Sequence, residues 1–268
     1  MPRISPDGKQ AAVIVYEDDG SRNVWIYNFE DSSFRRLTFE GEFNTTPAWT
    51  PDGKWVTFQG GRAGQRGLFR KLADGTGLAE PLTTPTPGAQ IPYSWLPDGL
   101  ELALSYGSGI SILSMDSDKE PRPFITSGNA PCCAAFSPDG ERLAYVVEEA
   151  GRLHVFVSPY ANPQVKVQIS EEEGGTQPVW SPDGTELFYR SGEKMMVVSL
   201  QAERAFSVGK PRVLFEGAYF SSDFIPGTQY YDISPDGERF LMIRERKESQ
   251  INVVLNWFEE LKRLVPTN

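Results

Sequence analysis

The stretch QPVWSPDGTELFYRS, residues 177–191, carries the four-residue motif that decides the fold, SPDG at Ser181–Gly184. Proline presets a φ of about −65°, the aspartate bonds to nearby backbone, and glycine accepts the positive φ that closes a hairpin. The motif returns as SPDG at Ser5–Gly8, Ser137–Gly140 and Ser234–Gly237, as TPDG at Thr50–Gly53, and as LPDG at Leu96–Gly99. One chain therefore contains six copies of the same turn.

The spacing of these turns gives the architecture. Successive turn glycines are 45, 46, 41, 44 and 53 residues apart, and a period of about 40–45 residues is typical of a propeller blade with four strands. In each copy a short strand ends in an aromatic or aliphatic residue before the turn, and an alternating strand such as ELFYRS follows it. The sequence predicts an all-β fold, a six-bladed β-propeller of four-stranded antiparallel blades, formed by a single domain over residues 1–268.

The predicted blades lie near residues 1–44, 45–89, 90–130, 131–175, 176–227 and 228–268. The last blade is expected to be incomplete, because Trp257, Phe258, Leu261, Leu264 and Val265 repeat at helical spacing after its third strand. We therefore expect a short C-terminal helix or tail there. An unpaired strand edge recruits partners, so self-association through the edge of blade six is a further expectation.

The stretches TPAWTPDG and QPVWSPDG resemble the repeats of the WD-repeat-like propeller family of TolB, and the resemblance covers nearly the whole chain. The C-terminal stretch INVVLNWFEELKRLVPTN is similar to the end of propeller domains that follow bacterial serine/threonine kinase domains. These resemblances imply a sensor or scaffold module from a longer bacterial protein, with an extracytoplasmic location. No kinase motif is present in the 268 residues.

Composition narrows the classes of partner. The net charge of −10 argues against nucleic-acid binding, which needs a basic surface. No apolar run approaches the roughly 18 residues of a membrane-spanning helix, and the residues after Met1 show no signal peptide. A peptide or protein partner is therefore the expectation.

The loops opposite the SPDG turns, here called the front face, are rich in acidic residues. A surface of one charge sign concentrates ligands of the opposite sign, so this face is expected to favour basic peptides or other cationic ligands. The alternative is a solvated acidic rim that only keeps the protein soluble. The acidic residues are Glu17, Asp18, Asp19, Glu40, Glu42, Glu148, Glu149, Glu171, Glu172, Glu173 and Asp223.

The connection between blades five and six is the longest and contains an aromatic cluster. Aromatic rings bring large apolar area, and tyrosines add a polar group, which suits a binding site. The predicted ligand-binding residues are Tyr219, Phe220, Asp223, Phe224, Tyr230 and Tyr231. The alternative is that these rings are packed into the core beside the incomplete blade.

An enzymatic role is the second hypothesis. The chain has a single histidine, His154, which disfavours chemistry that depends on a histidine base or on histidine-ligated zinc. A calcium-type ion needs only oxygen ligands, and Glu42, Asn44, Asn129 and Asp223 are the predicted set. Some six-bladed propeller lactonases hold such an ion in the channel, so the alternative function is a metal-dependent hydrolase of lactones or other esters, for which no catalytic residue is assigned.

The two cysteines are neighbours, Cys132 and Cys133, on the predicted first strand of blade four. Strand alternation sends adjacent side chains to opposite faces, so the expectation is two small buried thiols that point apart. A vicinal disulfide or a site for a soft metal is the alternative.

Overall fold

The computed structural model describes residues 1–116, 120–126, 129–201, 207–220 and 228–244, and the predicted all-β fold is confirmed in them. Regular structure in these ranges is exclusively β-strand. No helix in the described residues is long and apolar enough to cross a membrane. The predicted C-terminal helix, with Trp257 and its neighbours, lies outside the described residues.

The strands follow one another in six units, each beginning with the strand that leads into one of the SPDG-type turns. The first two units are β1 (Arg3–Ile4), β2 (Gln10–Tyr16), β3 (Arg22–Asn28), β4 (Phe34–Arg36), β5 (Phe43–Trp49), β6 (Trp55–Arg62), β7 (Gln65–Leu72) and β8 (Glu80–Pro81). The next two are β9 (Ile91–Trp95), β10 (Glu101–Tyr106), β11 (Gly109–Ser114), β12 (Arg122–Ile125), β13 (Asn129–Phe136), β14 (Arg142–Glu149), β15 (Arg152–Pro159) and β16 (Val167–Gln168). The last two are β17 (Thr176–Trp180), β18 (Glu186–Ser191), β19 (Lys194–Gln201), β20 (Ser207–Val208), β21 (Arg212–Glu216), β22 (Tyr231–Ile233) and β23 (Phe240–Met242).

Within each unit consecutive strands pair antiparallel, as a blade requires. Two details depart from a plain four-stranded meander. A single parallel pair, Arg22 with Phe43, joins the first unit to the second, and β21 pairs with β19 beside β20 in the fifth. The sixth unit is described only by β22 and β23, so the predicted number of complete blades and the predicted blade boundaries stay predictions.

The six turns are built from the hydrogen bonds that their sequence predicts. In the first, the Ser5 hydroxyl donates to Asp7 Oδ1 at 2.6 Å, and the Gly8 amide donates to the Ser5 carbonyl at 2.8 Å. Gly8 has a φ of 72°, and the other five turn glycines also have a positive φ. Five of the six turns, including the first, have this hydrogen bond from the hydroxyl to the carboxylate. The LPDG copy has a leucine in place of the hydroxyl residue.

A hydroxyl residue where several units end bonds the sheet to its outgoing connection. The Thr38 hydroxyl accepts the Val24 amide at 3.0 Å. Thr83 accepts the Leu68 amide at 2.9 Å and Ser170 accepts the Val155 amide at 3.0 Å in the same way. Each hydroxyl satisfies a buried strand N–H that would otherwise lack an acceptor, which explains the Leu-Thr and Ile-Ser pairs at these points in the sequence.

The inner strands form a closed ring around an axis. β1 contacts both β5 and β22, and the intervening inner strands contact in order from β5 through β9 and β13 to β17. Hydrogen bonds continue the ring from the fifth unit to the sixth, since Gln177 Oε1 accepts the Tyr230 amide at 2.8 Å. On the turn side, Gly8 faces Pro235, and each other turn glycine faces the residues of the preceding turn. The first and last described units are therefore neighbours.

The hydrophobic core lies between neighbouring units rather than at the axis. Its largest cluster combines the inner strand residues Phe136 and Trp180 with residues of β10, β11, β14 and β18. The indole N–H of Trp180 donates to the Ala135 carbonyl at 3.0 Å, and that of Trp49 donates to the Arg3 carbonyl at 2.9 Å. The tryptophan before the turn thus bonds the second unit to the first and the fifth unit to the fourth.

Three inner strands carry the same β-bulge, which corrects one prediction. The register against the next strand slips after Thr45 in β5, after Cys132 in β13 and after Thr176 in β17. The residue that follows each of these has a positive φ: 52° for Thr46, 58° for Cys133 and 58° for Gln177. The prediction that strand alternation separates the two cysteines was wrong, because this bulge interrupts the alternation and leaves their Sγ atoms 3.1 Å apart.

Candidate functional site

An axial cavity opens between the six SPDG-type turns. Its volume is about 360 Å³, and all six inner strands contribute to its wall. From each inner strand the wall takes the residue just before the one that ends the strand, namely Arg3, Ala48, Ser94, Ala135, Val179 and Asp232. The rim is formed by the six turn prolines, Pro6, Pro51, Pro97, Pro138, Pro182 and Pro235. We call this space the axial channel.

Two charged side chains from opposite ends of the described chain, those of Arg3 and Asp232, line the channel wall. Arg3 donates from Nη2 to Gln229 Oε1 at 3.1 Å. The carboxylate of Asp232 accepts two backbone amides, from Ile4 at 2.8 Å and from Ile233 at 3.0 Å. The side chains are partly accessible from the channel, so the wall offers a cationic donor and an anionic acceptor side by side.

The electrostatics of this pair reflect their removal from water. Burial raises the pKa of the Asp232 carboxyl above its ordinary value, while the charge of Arg3 and the two backbone amides act in the opposite direction. Burial lowers the pKa of the Arg3 guanidinium, against the charge of Asp232. A polar ligand that restores hydrogen bonds to these groups would offset part of the desolvation cost.

The described members of the predicted aromatic site are packed into the protein. Tyr231 is buried and its hydroxyl donates to the Gln177 carbonyl at 2.7 Å. Tyr230 is also buried, and Phe220 stacks edge-on against it with ring centroids 4.8 Å apart. Tyr219 lies edge-on to Phe215. Tyr219 and Phe220 are half-buried, and Asp223 and Phe224 lie outside the described residues, so ligand binding by this cluster stays a prediction.

A buried arginine, which the sequence analysis did not identify, lies beside these rings. Arg190 on β18 is 2% exposed, and its charge interacts with Tyr231 and Tyr219. Its Nη2 donates to the Gly192 carbonyl at 2.8 Å, whereas its Nε and Nη1 have no hydrogen-bond partner among the described residues. In ELFYRS, Arg190 directly follows three apolar or aromatic residues of a strand that is buried on both faces, and this position is the signal that could have identified it.

Ion pairs neutralise part of the predicted acidic front face. Four of its glutamates are paired: Glu40 with Lys71 at 3.4 Å, Glu42 with Arg62 at 3.8 Å, Glu149 with Lys166 at 2.6 Å and Glu173 with Lys194 at 3.0 Å. Glu17 accepts hydrogen bonds from Trp25 and Asn23. Attraction of cationic ligands by this face stays a prediction, with less unpaired charge than the sequence alone indicates.

The predicted metal ligands are described only in part. Asn44 is buried and its Nδ2 donates to Asn23 Oδ1 and to the Glu40 carbonyl, while Glu42 faces Arg62. The Asn129 side chain and Asp223 lie outside the described part of the structure. Within the described residues, no three His, Cys, Asp or Glu side chains are grouped closely enough to hold an ion, so the calcium-type set stays a prediction.

Comparison with known proteins supports a β-propeller fold. Residues 1–131 match the model of the TolB beta propeller domain. The chain is 25% identical over 197 residues to the uncharacterized peptidase YuxL of Bacillus subtilis, covering 70% of this chain and 28% of that protein. It is 29% identical over 103 residues to the Tol-Pal system protein TolB of Desulfosudis oleivorans, covering 38% of this chain and 21% of that protein.

A solved structure of a TolB-like protein from Agrobacterium tumefaciens superposes with a TM-score of 0.67 at 18% identity, covering 88% of this chain and 86% of that one. This likeness concerns the fold alone. The chain spans only 28% and 21% of the lengths of the two curated relatives named above.

Proposed function

Because the chain is a TolB-like β-propeller, we propose that it is a binding module that receives a peptide segment of a partner protein in the axial channel. One observation carries the proposal: a cavity of about 360 Å³ on the ring axis presents Arg3, Asp232 and Gln229 between six prolines. Sites for small ligands usually have volumes of about 300–1,000 Å³ and combine apolar walls with a few polar groups. The axial channel has this size and this character.

The chemistry of the wall fits a peptide. Arg3 offers N–H donors, Asp232 offers acceptor oxygens, and Ser94 and Gln229 can do both. A peptide main chain carries one donor and one acceptor for each residue, so it complements such a mixed wall better than a ligand of one polarity. The relative from Desulfosudis oleivorans is named as a Tol-Pal system protein, which also supports a role in protein assembly.

The rigidity of the ring supports binding without rearrangement. The prolines of the rim have fixed φ angles, and each turn is braced by its own hydrogen bonds. A preorganised rim loses little entropy when it binds, and this raises affinity for a given contact area. An extracytoplasmic location and a preference for basic peptides belong to the same proposal.

The test is to fill the channel by enlarging a side chain that makes no hydrogen bond. Ala135 lies in the wall and its side chain makes no hydrogen bond, so Ala135→Trp occupies the cavity with an indole. Leu78→Trp is the matched control, because Leu78 is 78% exposed and does not line the channel. Peptides are selected from a random-sequence display library on the wild-type protein, and their affinities for the purified variants are measured by isothermal titration calorimetry.

We expect the selected peptides to bind Ala135→Trp at least tenfold more weakly and Leu78→Trp as tightly as the wild type. Asp232→Asn provides a milder change should the indole disturb folding, and it should also weaken binding. Equal affinity of the peptides for the wild type, Ala135→Trp and Asp232→Asn would disprove binding in the channel. Basic peptides captured by the front face instead would bind Ala135→Trp normally and weaken steeply with salt.

A further inference from the structure

We propose that Cys132 and Cys133 are a site of reversible covalent modification, at which an oxidant of the peroxide class closes a disulfide between the two neighbouring residues. Their Sγ atoms are 3.1 Å apart, and the structure holds no disulfide between them. A disulfide requires the sulfurs to approach to about 2.05 Å. The remaining distance is roughly one ångström, and closing it requires the side chains and the backbone of the bulge to adjust, because consecutive Cα atoms lie only about 3.8 Å apart.

The backbone explains why adjacent side chains meet here. On a regular strand, neighbouring side chains point to opposite faces of the sheet, and two cysteines placed there could not bond. Cys133 instead has a φ of 58°, in the left-handed region, and the register of β13 against β14 slips after Cys132. The bulge thus brings both sulfurs to one side of the strand.

The bulge does not depend on the cysteines, because it also occurs in two inner strands that lack them. The same slip occurs at Thr45–Thr46 in β5 and at Thr176–Gln177 in β17, where Thr46 and Gln177 also have a positive φ. Three inner strands therefore offer a position for a vicinal pair, and the cysteines occupy it only in β13. The geometry comes from the propeller, and this sequence adds the reactive groups.

The surroundings of the pair suit thiol chemistry. The two residues that follow it, Ala134 and Ala135, line the axial channel, so the pair lies one and two residues from the channel wall. The cysteines themselves are 4% and 8% exposed, so a small oxidant reaches them faster than a bulky reagent does. Arg3 in the channel wall interacts electrostatically with Cys133.

The reaction balances with one peroxide. The thiolate of one cysteine attacks an oxygen of hydrogen peroxide, the O–O bond breaks, and a sulfenic acid forms with release of water after protonation. The second thiol then attacks the sulfenic sulfur, the S–O bond breaks, and a second water leaves as the S–S bond forms. Two thiols are oxidised and one peroxide is reduced to two waters. A dithiol reductant reverses the step by thiol–disulfide exchange.

The chain contains only these two cysteines, which makes the experiment direct. The protein is equilibrated with hydrogen peroxide, denatured in an alkylating reagent, and analysed by intact-mass spectrometry and non-reducing electrophoresis. We expect both thiols to disappear together, with the loss of two hydrogen atoms, in a monomer that dithiothreitol restores. A chain-to-chain disulfide, or oxygen adducts with one thiol retained, would overturn the proposal.

Transplanted pairs test whether the bulge is the cause. In a Cys132→Ser, Cys133→Ser background, Thr45→Cys with Thr46→Cys places a pair on the equivalent bulge, and Val146→Cys with Val147→Cys places one on the regular strand β14. Each variant is equilibrated in glutathione buffers of graded potential, so that access does not limit the result. We expect the bulge pair to close as readily as the natural pair and the regular pair to stay reduced. Equal closure of all three would refute the geometric basis.

Discussion

Two threonines with fully buried side chains should respond oppositely to the same substitution. Thr38 and Thr57 are both 0% exposed, but the Thr38 hydroxyl accepts the Val24 amide and donates to Asn23 Oδ1 at 3.2 Å, whereas Thr57 Oγ1 has no partner among the described residues. Valine has nearly the shape of threonine and lacks the hydroxyl. We expect Thr38→Val to destabilise the protein and Thr57→Val to leave it unchanged or more stable.

The magnitudes follow from hydrogen-bond energetics. Thr38→Val leaves the buried Val24 N–H without its acceptor, which costs about 1–3 kcal/mol. Thr57→Val removes a buried hydroxyl that lost its water on folding, which adds about 1 kcal/mol to the free energy of unfolding. The variants should differ by about 2–4 kcal/mol, and at about 2–4 °C for each kcal/mol their melting temperatures should differ by roughly 5–15 °C.

Urea unfolding followed by far-ultraviolet circular dichroism measures both free energies, and differential scanning calorimetry gives the melting temperatures. The m-values should match the wild type, because neither change alters the surface exposed on unfolding. If Thr57→Val destabilised the protein as much as Thr38→Val, the hydrogen bond from the Val24 amide to the Thr38 hydroxyl would not be what distinguishes the two sites.

Two further comparisons test the hydrogen bonds between units and within the turns. Trp180→Phe removes the indole hydrogen bond to the Ala135 carbonyl, whereas the similarly buried Trp95 has an indole N–H without a partner among the described residues. Chemical denaturation should therefore show Trp180→Phe to be more destabilising than Trp95→Phe by about 1–3 kcal/mol. The reverse order would contradict the hydrogen bonding described. The hydroxyl of the turn serine holds the pKa of Asp183 below its ordinary value, so this carboxylate stabilises the fold above about pH 3.9 and the contribution is lost as the pH falls through the lower folded pKa. Urea titrations from pH 7 to pH 3 should therefore show the stability gap between wild type and Asp183→Asn closing toward acid. Parallel curves for the two proteins would refute this prediction.

Local chemistry made much of the fold predictable from sequence. The SPDG turn needs only its own residues, because the Ser5 hydroxyl, the Asp7 carboxylate and the positive φ of Gly8 all act within four positions. Six copies at nearly constant spacing then indicate the repeat without any long-range information. The all-β architecture follows from these short-range features.

Features set by tertiary structure were not predictable in the same way. Thr46, Cys133 and Gln177 have a positive φ although none is glycine. The residue types therefore do not predict the bulge that brings the two sulfurs together. Arg3 and Gln229 are hydrogen-bonded across 226 positions of sequence, and only closure of the ring makes them neighbours. The candidate site in the channel depends on that closure, and reasoning from single segments missed it.

Closure of the ring also governs when the protein can finish folding. β1 is complete within the first few residues, but its neighbour β22 begins only at Tyr231. During synthesis at about 5–20 residues per second, the first inner strand must therefore wait on the order of ten seconds or more for its second partner. Contacts between residues so distant in sequence slow folding, and until they form, the open ring presents two unpaired inner surfaces to other chains. The Gly8–Pro235 contact is thus a late event, and a newly made chain is most prone to aggregate just before it forms.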